Sequence, residues 1–531
     1  MSSLAVIPLP KTRRRKAGLA FWMRRVLDEC DHAAHELAAD PVHDLRVCLR
    51  RCRSMADGIM TVDPDPGWKQ MKKAGKRLFS SLGELRDVQV MAEWVQRLGV
   101  PDDPVTTALL HFLNTREVHL KTEASNSLKD FDRKQWTRWS RELPRRASRL
   151  RQGSVVFGHL ALERWNEAHE LHRLALRHGS QSSWHRLRIG IKRFRYLVEN
   201  FLPQQHAKWK DDLKELQDLL GEVHDLDVLW ATALELAVFP DEPLRLHWHT
   251  RVEKERAERI RKYRDKMMGK NALWQTWREE LPQASRIAAA GFKRMELWAS
   301  FRDPDMKHST HVARLAVRLF DGLVGIGEIA VPPVVRPPVV SPSVHQREIL
   351  RAGALLHDVG RFRKEKGHQK VSYRMIHQMP PPLGWQQHDL QMAAIVARFH
   401  RGALPRPGQK VLRGLSRTEG RQARLLAGIL RLANALDAER DGRIRRLEVA
   451  LHQGVIVVAA EGYSPLDQLA ESVAAARHLL EVVMRRPIAV RPLKTATHKL
   501  QAGTYAPAAR LPAVAGPKAE GRILTLESRR G

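Results

Sequence analysis

Histidine and aspartate side chains recur at three places in the second half of the sequence. His357 and Asp358 are adjacent at the end of a short apolar run, residues 349–356, while His308 and Asp437 belong to two other apolar segments. Imidazole nitrogens and carboxylate oxygens together suit a first-row divalent metal or magnesium, and buried ionisable groups need such a partner. We therefore predict a metal centre in which His357 and Asp358 also act in catalysis. Its predicted ligands are His308, His357, Asp358 and Asp437.

Three further histidines lie near these residues. His311 is one helical turn from His308, and we consider it a less favoured alternative ligand. For His368 and His400 the ligand role and a purely structural role are equally open. A divalent ion with open positions lowers the pKa of bound water and polarises a phosphoryl oxygen. Hydrolysis of a phosphoanhydride or phosphoester is therefore the predicted reaction class.

Three predicted helices must bring these side chains together. His308 opens an amphipathic helix, His357 closes a short apolar helix, and Asp437 closes the apolar run at residues 430–437. After Asp437, apolar residues alternate or cluster in a pattern typical of strands. The segments after Asp437 predict a hairpin, a helix and a further strand, at residues 444–449 with 455–459, 467–484 and 488–490. The pattern indicates an all-α domain with a small α/β tail.

The stretches LLHDVGRFRKEKGHQKVSY, IVARFHRGALP and LRLANALD resemble the C-terminal HD domain of the exopolyphosphatase/guanosine pentaphosphatase family. The resemblance covers residues 297–493 and implies the metal site of the HD phosphohydrolase superfamily, with Mg, Mn or Fe as the ion. Family members tend to carry histidines where this chain has Gln369 and Val371. Because valine cannot bind a metal, we expect one ion rather than two. In that family an actin-like pair of ATPase-fold domains usually precedes the HD part, whereas the preceding segment here has helical periodicity.

The 531-residue chain is strongly basic, with a formal net charge of +32 from 91 Lys and Arg against 59 Asp and Glu. This surplus predicts polyanionic partners such as polyphosphate, nucleic acid or an anionic membrane surface. Three cysteines are too few for a disulfide framework, which favours the cytoplasm. No apolar run reaches the length of a membrane span. We interpret residues 1–16 and 494–531 as basic disordered tails.

The cations of the first half occur twice in the same spacing. The residues at positions i, i+3, i+7 and i+10 of one predicted helix recur 142 positions later, and this spacing places each set on one helical stripe. The two sets are His43, Arg46, Arg50 and Arg53, and then His185, Arg188, Lys192 and Arg195. A second block, LGELRDVQV, recurs as LGEVHDLDVL. We predict two fused copies of one helical bundle over residues 17–290.

These repeated motifs, HxxRVxxRRxR and HRLRIGIKRFRYLVE with their LGE blocks, resemble the CHAD family, the conserved-histidine α-helical domain. The resemblance implies two helical bundles around a basic groove and binding of inorganic polyphosphate. A row of Lys and Arg at helical spacing suits such a polyanion, because Arg binds phosphate oxygens in pairs. The predicted polyphosphate-binding residues are His43, Arg46, Arg50, Arg51, Arg53, Lys72, Lys76, His185, Arg188, Lys192, Arg193, Arg195, Lys210 and Lys214.

Three carboxylates, Asp87, Asp225 and Asp227, follow what we interpret as Gly-Glu turns. A role as helix caps or arginine partners is favoured over catalysis for them.

Taken together, the helical patterns predict a mainly α fold class: a duplicated pair of helical bundles followed by an all-α HD domain with a small α/β C-terminal tail.

Three functions fit this chain. The first is a polyphosphate-binding protein with a metal-dependent phosphohydrolase domain. The order His, His-Asp, Asp along the sequence favours this function. The second is a non-catalytic polyphosphate-binding scaffold, associated with polyphosphate granules, whose HD domain is degenerate; Gln369 and Val371 favour it. The third is binding of nucleic acid or other polyanions by charge alone. No nucleic-acid recognition motif is present, which disfavours nucleic acid as a specific partner.

Overall fold

The computed structural model describes residues 18–35, 37–100, 102–329 and 346–493, so both predicted tails lie outside the described residues. Within this part helices dominate and one small sheet is present, which confirms the mainly α class. The buried apolar side chains form two cores, one between Leu19 and Leu281 and one between Phe292 and Ile488. None of the helices in these ranges combines the length and hydrophobicity that a membrane span needs.

The two copies of the repeat contain helices in the same order. The first copy consists of α1 (Leu19–His35), α2 (Ala39–Ile59), α3 (Pro66–Ala74), α4 (Lys76–Leu98), α5 (Pro104–Lys129) and α6 (Arg133–Ala147). The second consists of α7 (Val155–His178), α8 (Gln181–Phe201), α9 (Pro203–Glu235), α10 (Glu242–Met267) and α11 (Leu273–Glu279). In the first copy the helix is interrupted at Gly75, between α3 and α4. The second copy has the single long helix α9 in the equivalent place. Helix α2 packs against α8, and α4 against α9, so equivalent helices meet across the contact between the copies.

The predicted Gly-Glu turns are wrong, because Gly83 lies inside α4 and Gly221 inside α9. One glycine costs a helix about 1 kcal/mol relative to alanine. In α4 the buried residues Leu82, Leu85 and Val88 keep the helical period on both sides of the glycine, and their burial outweighs that cost.

The second half consists of helices and a three-stranded sheet. Its helices are α12 (Ser285–Ser300), α13 (Met306–Gly325), α14 (Gln346–Leu355), α15 (His368–His377), α16 (Gln387–Arg398), α17 (Arg417–Ala435) and α18 (Gln468–Met484). Its strands are β1 (Leu447–His452), β2 (Val455–Ala460) and β3 (Ile488–Pro492). The hairpin pairs β1 with β2 antiparallel, and β3 pairs parallel with β2 after the crossover through α18. The first strand begins at Leu447, three residues later than its alternation predicts.

The two halves contact each other directly. Buried His159 of α7 places its Nε2 atom 3.0 Å from the carbonyl oxygen of Leu383, in the segment before α16. The Arg302 guanidinium donates to the carbonyl oxygen of Val62 at 2.6 Å. The segment that leads into α13 is therefore fixed against the first helical bundle.

Candidate metal centre and basic groove

The predicted metal ligands lie at helix ends that converge in the core of the second half. Asp305 caps α13 through the backbone N–H of His308, which places that imidazole in the first turn of the helix. The other side chains directly follow α14, begin α15, or follow α16 and α17. The buried members of the centre are His308, His357, Asp358, His368, His400 and Asp437.

Three of these imidazoles have their tautomer fixed by the backbone. In His357, His368 and His400 the Nδ1 atom lies 2.6, 2.8 and 2.8 Å from a main-chain carbonyl oxygen. A carbonyl only accepts hydrogen bonds, so each Nδ1 carries the proton and each Nε2 presents a lone pair. The carbonyls belong to Ala354, Glu365 and Ala397. This is the arrangement that orients histidines toward a metal.

The three Nε2 atoms face the same carboxylate oxygen. Asp358 Oδ1 lies 3.5 Å from the Nε2 atom of His357, 3.0 Å from that of His368 and 3.8 Å from that of His400. The Nε2 atoms of His368 and His400 are only 3.2 Å apart, and that of His357 has no hydrogen-bond partner. Buried lone pairs that face one another repel, and a cation among them removes the repulsion. The donor set therefore fits a metal ion.

The protonation states agree with this fit. Burial lowers the pKa of His357 and lowers that of His400 well below its ordinary value, so both imidazoles are neutral at pH 7. Burial alone would raise the pKa of Asp358. The neighbouring His357 and His368, together with the hydrogen bond from Arg440, outweigh burial and hold that pKa well below its usual range. Neutral imidazoles beside an ionised carboxylate are the forms that bind divalent metals.

The donors form two groups that share Asp358. In each group the candidate ligand atoms lie within 4.8 Å of one another. One group contains His308 and His357, and the other contains His368 and His400. The sequence left the ligand role of His368 and His400 open, and the structure brings both beside Asp358.

Asp437 has a different contact from the one the sequence predicts. Its Oδ2 atom accepts a hydrogen bond from Nδ1 of His308 at 2.7 Å, and its Oδ1 atom accepts one from the backbone N–H of Gly442 at 3.0 Å. It belongs to neither donor group within the described residues. In this position Asp437 orients the imidazole of His308, whose Nε2 atom lies 3.2 Å from the side-chain oxygen of Asn434.

Two arginines hold the second oxygen of Asp358. Arg440 donates to Oδ2 at 2.7 Å and also binds Asp305 at 3.0 Å, and Arg361 lies 3.4 Å from the same Oδ2 atom. Arg440 has a left-handed backbone, with φ of 59°, in the loop after α17. No sequence pattern indicates Arg440, since a loop position acquires this contact only through the tertiary fold.

Gln369 and Val371, where the resembling family tends to have histidines, both lie in α15. Val371 is buried, and the Oε1 atom of Gln369 is buried without a hydrogen-bond partner. His311 is buried one turn from His308 and contacts Arg314 at 3.3 Å, outside both donor groups. The second donor group thus forms without a histidine at position 371.

A second candidate site lies where the two copies of the helical repeat meet. Arg46 and Arg50 of α2 face Arg188 and Lys192 of α8 across a cavity of about 310 Å³. Carboxylates of α9 line the same cavity, from Asp218, Glu222 and Asp225. We call this cavity the basic groove. Its four cations are the equivalent residues of the two copies, so duplication of one stripe produces a two-sided site.

The cations of the basic groove have few anionic partners. Arg46 donates to the carbonyl oxygens of Leu82 and Gly83 at 2.8 and 2.7 Å. The buried Nε atom of Arg188 has no hydrogen-bond partner. Burial, reinforced by neighbouring arginines, lowers the pKa of Lys192 to about 8. Three arginines of the groove add to this lowering, and Asp87 opposes it.

The other predicted polyphosphate contacts fall into three sets. Some already have partners: Arg51 pairs with Glu199, Arg193 with Glu167, Lys72 with Asp57, and Arg53 donates to the carbonyl oxygen of Lys72. Others are exposed on the surface, namely His43, Lys76, Lys210 and Lys214. The half-buried set consists of Arg195 and of His185, whose Nδ1 atom lies 3.3 Å from that of His224. None of these lines the basic groove.

Comparison with known protein families supports the resemblance predicted for each half of the chain. Residues 22–234 match the CHAD domain family, and residues 297–459 match domain III of the Ppx/GppA phosphatases. The chain therefore combines a CHAD domain with a C-terminal domain of the Ppx/GppA domain III type. A solved CHAD domain from the plant Ricinus communis is 19% identical and covers 50% of this chain and 89% of that chain, with a TM-score of 0.35. No significant match was found among curated proteins.

Proposed function

We propose that this protein binds inorganic polyphosphate in the basic groove and hydrolyses phosphoanhydride or phosphoester bonds at the His/Asp centre. The observation that carries the proposal is the convergence of Arg46, Arg50, Arg188 and Lys192 on one cavity. A CHAD domain and a Ppx/GppA domain III in one chain support the same substrate class. We place this function in the cytoplasm, at polyphosphate granules.

A linear polyphosphate suits the basic groove better than a compact anion does. Each internal phosphate carries a charge, so one chain reaches cations of α2 and α8 together and gains the effective concentration of linked sites. Arg50 and Arg188 offer planar pairs of donors, which match phosphate oxygens. Asp225 in the groove wall has a pKa raised to about 6, mainly by burial. It therefore repels anions less as the pH falls toward 6.

The metal centre supplies the proposed chemistry. Its imidazole-rich donor set suits Mn or Fe, and Mg fits it less well because Mg prefers oxygen ligands. His308, His357 and Asp358 would hold one ion, and His368 and His400 form the second donor group with the same Asp358. A bound divalent ion would activate water and polarise a phosphoryl oxygen. We expect at least one ion, and the second donor group offers a place for another.

The protein's own residues prepare the centre for this role. Main-chain carbonyls hold the three imidazoles as Nε2 donors, and Asp437 orients His308. Arg440 fixes the carboxylate plane of Asp358, so that Oδ1 points at the imidazoles. Such positioning removes reorganisation from the reaction.

The alternative function is a non-catalytic polyphosphate-binding scaffold. In this function the basic groove binds polyphosphate, and the His/Asp centre catalyses no hydrolysis. Gln369 and Val371 favour it, because both replace a donor side chain that the resembling family tends to have. Hydrolysis therefore has to be tested separately from binding.

Two double variants separate these activities. Arg50→Glu with Lys192→Glu reverses charge in the basic groove, and His357→Ala with Asp358→Ala removes donors from the centre. The control, Arg173→Glu with Arg177→Glu, makes the same charge change on the exposed face of α7. Each protein is assayed for affinity to long-chain polyphosphate at several salt concentrations and for phosphate release.

The groove variant should bind at least tenfold more weakly, with a log–log salt slope lower by roughly 0.7 to 0.9 for each lost phosphate contact. The centre variant should bind as the wild type does but release no phosphate. Wild-type affinity and slope in the groove variant would rule out the basic groove as the binding site. Binding without phosphate release by the wild-type protein would select the scaffold.

A further inference from the structure

A cleft between α17 and α18 carries a second concentration of arginine. Arg417, Arg421 and Arg424 stand at i, i+4 and i+7 of α17, which places them on one helical face, and Arg485 follows α18. Together they line a cavity of about 760 Å³, within the size range of small-molecule sites. We call this cavity the arginine cleft.

The four arginines form no ion pair within the described ranges, and no carboxylate lines the cavity. The Nε atom of Arg424 is buried and has no hydrogen-bond partner. Glu419, the nearest acid on α17, accepts from the backbone N–H of Ser416 and pairs with His388 at 3.1 Å. Like charges one turn apart repel each other, so this arrangement costs stability unless an anion binds.

A comparison within the same half shows that the arrangement is not general. Another arginine-lined cavity lies between α12, α13 and α14. There Asp321 binds Arg347 at 2.8 and 2.9 Å, and Glu296 binds Lys293 at 2.6 Å. Arg347 and Lys293 are therefore paired with carboxylates of their own cavity, whereas the arginines of the arginine cleft are not.

The arginine cleft is separate from the metal centre. Helix α17 runs from Arg417 at the cleft to Asn434, which contacts His308 at the centre. Arg424, the cleft arginine nearest to Asn434 in this helix, is about 15 Å from it along the helix axis, at 1.5 Å per residue. A ligand in the cleft therefore does not reach the His/Asp donors directly.

We propose that the arginine cleft binds an oligophosphate group, either inorganic or carried by a nucleoside. Arg417, Arg421 and Arg485 are exposed and can reach successive phosphates. Leu412 and Val483 provide an apolar wall that an attached nucleoside would cover. This proposal does not depend on the function of the basic groove or of the metal centre.

The test uses the full chain and two probes, inorganic tripolyphosphate and ATP. Arg417→Glu with Arg421→Glu alters two exposed cleft residues and leaves the Ser416–Glu419 cap in place. Arg173→Glu with Arg177→Glu is the matched control on α7. Hydrogen exchange then measures protection of residues 407–424 and 482–486, in the wild type and in the Arg50→Glu, Lys192→Glu groove variant.

At least one probe should protect both segments, also in the groove variant, and ATP alone would identify the nucleoside form. In the cleft variant the probe should bind to this region roughly 100-fold more weakly, since two charge-assisted contacts are replaced by repulsive carboxylates. The control should keep wild-type protection. Absence of protection by both probes, or equal protection in the cleft variant, would overturn the proposal.

Discussion

The lowered pKa of Lys192 leads to a pH dependence of polyphosphate binding. With a pKa of about 8, this side chain is cationic at neutral pH and loses its charge as the pH rises through 8. An anion binds the charged form, so affinity should fall on the alkaline side. Its neighbours in the basic groove do not change charge there, because arginine side chains in general stay protonated and the pKa of Asp225 is about 6.

The magnitude follows from the fraction of charged lysine. About nine-tenths of the side chains are protonated at pH 7 and about one-tenth at pH 9, if the pKa is about 8. Affinity should therefore fall about tenfold over this interval, or about 1.4 kcal/mol. In Lys192→Arg the guanidinium remains charged, so its affinity should stay constant from pH 7 to 9.

The assay is titration calorimetry with long-chain polyphosphate at constant ionic strength, in steps from pH 6.5 to 9.5. Long chains are used because their internal phosphates stay ionised throughout. Lys262→Arg on α10, outside the basic groove, serves as the control and should behave as the wild type does. An equal alkaline loss in Lys192→Arg, or no loss in the wild type, would refute the reasoning.

Three further predictions concern stability and metal binding. Lys192→Met should raise the free energy of unfolding at pH 7 by about 1 to 3 kcal/mol in denaturant titrations. The folded-state pKa of about 8 lies below the ordinary 10.5, so the charged lysine destabilises the folded protein below pH 8. The gain from the substitution should vanish above pH 10.5, where lysine is neutral in both states. Gly360→Ala should destabilise the protein by about 1 to 3 kcal/mol and weaken metal binding, since a Cβ atom there would lie 2.6 Å from the carbonyl oxygen of His368; a wild-type melting temperature and metal content would contradict this. Asp437→Asn should reduce metal affinity about 10- to 100-fold in competition with a chelator, because His308 loses its orienting carboxylate, and unchanged affinity would exclude that role.

The basic groove was predictable because it depends on helical spacing and duplication. Arg46 and Arg50 share one stripe of α2, and Arg188 and Lys192 are their equivalents on α8, so packing of α2 against α8 brings the two stripes together. The sequence alone did not distinguish Arg51 from the arginines that line the groove. Its partner, Glu199, comes from the other copy, and only the packed structure reveals that ion pair.

The metal centre was predictable in its residues more than in their roles. His308, His357 and Asp358 converge as the apolar helices predict. His368 and His400 stood in the stretches that resemble the family, yet their position beside Asp358 depends on how α15 and α16 cross. The contact of Arg440 with Asp358 comes from a loop with a left-handed residue, which no periodicity can indicate.

The strand pattern was predictable for a physical reason and its exact start was not. Residues 455–459 are all apolar, and they belong to the central strand β2, which is buried on both faces. The edge strand β1 alternates weakly, and its first ladder pair is Leu447 with Ala460. Pairing with β2 therefore decides where β1 begins.

We propose that the His/Asp centre holds a divalent metal and uses it to cleave polyphosphate bonds. The most direct test of this claim measures metal content and phosphate release on the same purified wild-type sample, before and after chelation and after readdition of Mn, Fe or Mg. We predict at least one ion per chain, with phosphate release that disappears on chelation and returns with Mn or Fe. A metal-free protein that binds polyphosphate but releases no phosphate with any of these ions would contradict the claim.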